Sequence, residues 1–136
     1  MVDVNTFFSL DSFDTFKVTA YKEYLVVAEL LNIRLDENPV TLTAALNDIE
    51  VYGNRISSLL HRANGYLDVA EAQRLLPKSK DYTDIDRGKH LAASCAKERL
   101  LRDLLDGTIN SIKGRLILGS TNLGIIRAEI ERGIRS

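Results

Sequence analysis

The residues that could do chemistry in this chain are few, and they are scattered. General acid–base work or metal ligation by histidine calls for a second ligand at helical spacing. His61 and His90 have none, because no HxxxH or HExxH pattern surrounds either. Both read as solvated or cap-side histidines. Cys95 is the single cysteine, so an intrachain disulfide is impossible and a thiolate metal cluster is not expected. It sits among Ala92, Ala93 and Ala96, which reads as a small buried core residue. Asp81, Asp84 and Asp86 suggest a metal loop, but acidic residues belong at a helix N-terminus for electrostatic reasons alone. There is no GxxxxGK[ST], no GxGxxG after a strand and no GxSxG. The expectation is a protein that is not an enzyme and that holds no metal and no cofactor.

The basic residues say more. The net charge of −1 conceals a split: residues 1–73 hold 5 Lys/Arg against 11 Asp/Glu, and residues 74–136 hold 13 against 8. The halves therefore carry −6 and +5. A basic half suits a polyanion, and opposite halves also suit acidic-on-basic docking of copies of the chain. Arg99, Arg102, Lys113 and Arg115 lie in the long basic stretch, where Lys and Arg would track phosphates with salt-dependent affinity. Single-strand binders add aromatic platforms for base stacking. From mid-chain on, only Tyr52, Tyr66 and Tyr82 are available for that. The competing reading is a charge-laced helix surface held by i,i+4 pairs.

The elements that must position these residues are helical. At 136 residues, with 45% hydrophobic and 27% charged side chains, the chain has the makings of a single helical domain spanning 1–136. No apolar run approaches the roughly 18 residues of a membrane span, and MVDVNTFFSL lacks a positive n-region, which fits a cytoplasmic protein. Phe13, Phe16, Ala20, Tyr24, Val27, Leu31 and Leu35 predict a helix over about 11–35, capped by Ser9, Asp11 or Ser12. Asn38 before Pro39 is a helix start, and the stripe Leu42, Leu46, Ile49, Gly53, Ile56, Leu60, Ala63, Leu67, Ala70 predicts a helix running to about Leu76. So long a stripe points to a coiled-coil-like hairpin, with Gly53 and Gly65 as sites of close packing or a kink. Thr83 and Asp86 form a capping box for a third helix over about 83–118. That helix has apolar rows at Ala93, Ala96, Leu100, Leu104 and at Leu101, Leu105, Ile109, Ile112, Leu116. Gly119-Ser120-Thr121-Asn122 reads as a turn, followed by a short last helix from Leu123 to Ile134. The fold class expected is all-α: a long helical hairpin with an N-terminal helix and a short C-terminal helix.

The stretch Leu101 to Arg115, with leucines and Asp, then Gly107, then Ile112-Lys113-Gly114-Arg115, resembles the C-terminal part of the UvsY-type recombination mediators of T-even-type bacteriophages. The detailed match covers about 20 residues; elsewhere the likeness is one of length and helix layout. The resemblance implies a non-enzymatic protein that binds single-stranded DNA, forms rings of six or seven subunits, and loads a RecA-like recombinase onto strands covered by single-strand-binding protein. In that family a Lys-Ala-Arg element contributes to DNA binding. Leu60-His61-Arg62 falls at the equivalent place, with Arg62 matching the arginine and Leu60 standing where the lysine should be. His61 does not supply a fixed charge at neutral pH. By the same analogy Leu105, Ile109, Ile112 and Leu116 would be buried between subunits of a homo-oligomer. The alternative expectation is a helical structural or assembly protein, of virion type, or a protein inhibitor that binds no nucleic acid.

Overall fold

In a computed structural model the chain is described over residues 12–133, and these form four helices and no strand. Helix α1 spans Phe13–Asn32, α2 Pro39–Arg74, α3 Asp84–Ser94 and α4 Ala96–Glu131. The all-α expectation is met. Of the three cap candidates for α1, Ser12 does the work: its Oγ accepts from the Thr15 amide at 3.3 Å. Ser9 and Asp11 lie outside the described residues. Asn38 caps α2 as expected, its Oδ1 accepting from Val40 at 2.9 Å and Thr41 at 3.3 Å. The capping box of α3 is complete, with Thr83 Oγ1 taking the Asp86 amide and Asp86 Oδ2 taking the Thr83 amide.

Helices α2 and α4 have 36 residues each and form the hairpin that was read from the stripe on α2. Each is about 54 Å long at 1.5 Å per residue. Ile49, Ile56, Leu59 and Ala63 of α2 meet Leu101, Leu105, Ile109 and Ile112 of α4, and Phe16, Ala20 and Val27 of α1 close the same core. A second cluster joins Leu42 and Leu46 to Ile126, and a third joins Leu67 and Ala70 to Cys95. Cys95 is fully buried, as expected.

Two boundaries differ from the sequence reading. The helix expected over 83–118 is broken at Cys95, whose φ of −107° and ψ of 19° leave the helical region. The break frees the Ser94 carbonyl, and Arg74 at the end of α2 takes it, its Nη1 donating at 2.6 Å. The same Nη1 lies 2.9 Å from the buried Glu98 carboxylate, which holds the Arg74 guanidinium above its ordinary pKa range. A charge left in the interior without its partner is strongly destabilising. Arg74→Ala is therefore expected to lower the melting temperature, and a further Glu98→Gln change to recover part of the loss; circular dichroism melts check both.

The turn expected at Gly119–Asn122 does not form. Helix α4 runs straight through it, so the segment from Leu123 is the last part of α4, and Ile134 lies outside the described residues. Gly119 is there for a close approach: a Cβ at this position would overlap Leu46 Cδ2 and sit 3.3 Å from Leu35 Cδ1. Gly53 plays a milder version of this role, a Cβ there lying 3.1 Å from Ile112 Cγ2. Gly65 has open space around it. Alanine is preferred to glycine inside a helix by about 1 kcal/mol, whereas overpacking costs about 1–3 kcal/mol. Gly65→Ala is thus expected to raise the melting temperature by a few degrees and Gly119→Ala to lower it, a difference of sign that thermal denaturation reads directly.

Candidate interaction groove

The five basic residues singled out in the sequence do not converge. Arg62, on α2, lays its guanidinium 4.7 Å from the centre of the Phe16 ring of α1. Arg99 pairs with Glu71 at 3.2 Å across the hairpin, and Arg102 with its neighbour Asp103 at 2.9 Å. Lys113 is exposed on α4 with no ion pair among the described residues. Arg115 Nη2 donates to the carbonyl of Ile33, where α1 ends, and its Nε is buried without a partner. At 100° per residue, Arg99, Arg102 and Lys113 share one flank of α4, while Arg115 points about 140–160° away, towards α1. The four apolar residues assigned by analogy to a subunit interface are elsewhere too. Leu105, Ile109 and Ile112 are buried in the core of the single chain, and Leu116 packs against it. Their apolar surface is already covered by α1 and α2, so an interface between copies of this fold uses other residues.

The surface that does gather charge and aromatic rings lies between α1 and α4. Of the apolar row Ala93, Ala96, Leu100, Leu104, the first three are exposed, Leu100 at 72%, and Leu104 is half-buried. Opposite it, α1 presents a second row of its own, Val18, Tyr21 and Leu25, each about half exposed. Between the two rows runs a groove of about 500 Å³, floored by Val18, Leu100, Leu101 and Leu104 and bordered by Lys17, Tyr21, Lys22 and Lys97. Leu104 also lines the adjoining cavity of about 760 Å³, which continues past Tyr24, Gly107 and Gly114 to Arg115. The Tyr21 and Tyr24 rings stand side by side, 5.8 Å between centroids. Lys17 makes a 3.6 Å pair with exposed Asp14; Lys22 and Lys97 make none among the described residues.

None of Lys17, Tyr21, Lys22, Tyr24 and Lys97 was marked as a binding residue in the sequence. The signal was present as a second 3/4 repeat on each helix, Val18-Tyr21-Leu25 and Ala96-Leu100-Leu104, one too many for a core that needs a single stripe per helix.

His61 and His90 are exposed, the latter beside Ser94 Oγ at 3.3 Å. Among the described residues no three His, Cys, Asp or Glu side chains are placed to hold a metal ion, and no helix is long and apolar enough to cross a membrane. Asp86, one of the three acids considered for a metal loop, spends its carboxylate on the α3 cap. Comparison with protein-family models, with curated proteins and with solved structures finds no match for this chain.

Proposed function

We propose that this chain is a non-enzymatic helical accessory protein that binds single-stranded DNA along the α1/α4 groove. The observation that carries the reading is Tyr21, half exposed and set among Lys17, Lys22 and Lys97 on one groove. Lysines supply the phosphate contacts, and a tyrosine face supplies stacking of about 1–3 kcal/mol per base, which is sequence-tolerant because every base has a π-face. Arg115 lines the far end of the groove, so one of the five basic residues keeps a place in the site. The ion pairs of Arg99 and Arg102 are surface pairs of small net worth, so either guanidinium can exchange its carboxylate for a phosphate. The local resemblance over Asp103–Arg115 supports the same class. It would add a homo-oligomer, a recombinase and a single-strand-binding protein as partners, and assistance to recombinase loading as the role.

Fluorescence anisotropy with a labelled oligonucleotide at about 50 mM salt tests the binding, because the electrostatic contribution is strong there. Saturable binding is expected, with log affinity falling against log salt at a slope of about −2 if three lysines each meet a phosphate. No binding at that salt removes the reading.

A second reading rests on the groove floor. It is aliphatic, and Leu100 is largely exposed, which suits a hydrophobic ridge of a protein partner as well as it suits nucleobases. On that reading the chain is an assembly or inhibitor protein. Affinity for oligonucleotide would then be absent while the groove residues remained essential for the protein complex.

A further inference from the structure

Helix α3 is the least anchored of the four helices. None of its 11 residues is buried, and of residues 77–94 only Arg87, Leu91 and Ser94 are less than exposed. Steps of four and three put those residues on one face of the helix, the face turned to α2. Leu91 is the one apolar side chain on it, and it packs on the cluster of Leu67, Ala70 and Cys95. Beyond that contact, α3 is tied back by two arginines on backbone carbonyls. Arg74 of α2 holds Ser94, and Arg87 of α3 holds Leu76, just past the end of α2, its Nε donating at 2.9 Å. Water satisfies the same groups, so such bonds add little net hold. Burial returns at the helix break: Cys95 is fully buried, and Glu98 and Leu101 after it are buried too.

We propose that residues 75–94 form a lid on the end of the hairpin, hinged at Cys95 and latched by Arg74 and Arg87, that opens while α1, α2 and α4 stay folded. Opening bares Leu67, Ala70 and Cys95, so the open form presents an apolar patch and the chain's single thiol. The hinge falls at Cys95 because the helix is already interrupted there, and the Ser94 carbonyl is given to a side chain. On one side α3 keeps its own capping box, and on the other α4 keeps its first turn, closed by the Arg99 amide on the Cys95 carbonyl at 3.0 Å. The main core is untouched by the motion, because none of its members comes from residues 75–94. Units with so little buried apolar surface open well below the free energy of global unfolding. The lid goes beyond the nucleic-acid reading and does not rest on it.

Reaction of Cys95 with N-ethylmaleimide, followed by mass spectrometry of the full chain over a range of urea concentrations, tests the lid. The expected result is labelling at a rate nearly independent of urea at low concentrations, because opening the lid exposes little surface. Arg87→Ala is expected to raise that rate on the order of tenfold, the effect of losing one hydrogen bond from a charged donor. Arg87 is the better latch to remove, because losing Arg74 also strands the buried Glu98 carboxylate. Leu105→Ala, or Ile56→Val where that protein does not fold, weakens the main core and is expected to leave the rate at low urea unchanged. Labelling that rises steeply with urea from the start and is accelerated by the core variant overturns the inference, because Cys95 is then reached only by unfolding the whole chain. An Arg87→Ala rate equal to that of the wild type overturns it as well.

Discussion

Phe16→Ala is expected to cost about 3–5 kcal/mol of unfolding free energy and, with it, the groove. Phe16 is fully buried, stacked on Tyr66 of α2 at 4.8 Å between centroids, with Arg62 against its ring at 4.7 Å. Helix α1 buries only Phe16, Ala20 and Val27 completely, so this ring is its main anchor on the hairpin. Phe13 adds an edge-on contact to the same Tyr66 ring, 5.9 Å away. Removing Phe16 leaves a cavity beneath α1 and takes the aromatic partner from Arg62. Because Tyr21 and Lys22 are one to two turns further along α1, undocking α1 dissolves the groove while the hairpin of α2 and α4 keeps its own core. Urea denaturation with near-ultraviolet circular dichroism of the tyrosines measures the loss. A change under about 1 kcal/mol would mean that α1 is held by something other than this ring.

Leu105→Ala is the second large effect, expected at about 2–5 kcal/mol. Leu105 is fully buried where all three long helices meet, among Ile56, Phe16 and Ile109 of one cluster. This substitution also separates two assignments of the same row. If Leu105 belongs to the core of one chain, the destabilisation is the same at every protein concentration. If it belongs to a subunit interface, as analogy with the phage mediators implied, the melting temperature of the variant depends on concentration and its oligomer dissociates. The concentration-independent result is the one expected. Differential scanning calorimetry over a hundredfold range of concentration decides it.

What was legible in the sequence follows from how far apart the interacting residues are. The caps at Asn38 and Thr83 were legible because donor and acceptor lie within three residues, and the α2 stripe because one helix face repeats locally. The break at Cys95 was not, since the group that makes it tolerable is Arg74, on another helix. Gly119 was misread because glycine serves two purposes, ending helices and letting helices touch. Only its contact with Leu46, far back in the chain, tells which. The basic residues were found by counting, and the count could not show that Arg99 leans on Glu71 or that Arg115 holds the end of α1. Lys22 and Tyr21 went unmarked because they sit in the acidic half, and only the fold brings them opposite Lys97.

The charge split itself is rearranged by folding. Lys17 and Lys22 come from the acidic half and Lys97 from the basic one, and the three end on one groove. Halves of the sequence are not faces of the molecule: the groove takes two of its three lysines from the acidic half.

The most direct test of the account is to compare two charge-reversed proteins in one oligonucleotide-binding titration. In the first, Lys17, Lys22 and Lys97 of the groove are changed to Glu; in the second, Arg99, Arg102 and Lys113 of the α4 flank are. The account predicts that the groove variant loses binding by on the order of a hundredfold or more at about 50 mM salt, while the flank variant loses no more than about tenfold. Loss in the flank variant with binding intact in the groove variant would contradict it.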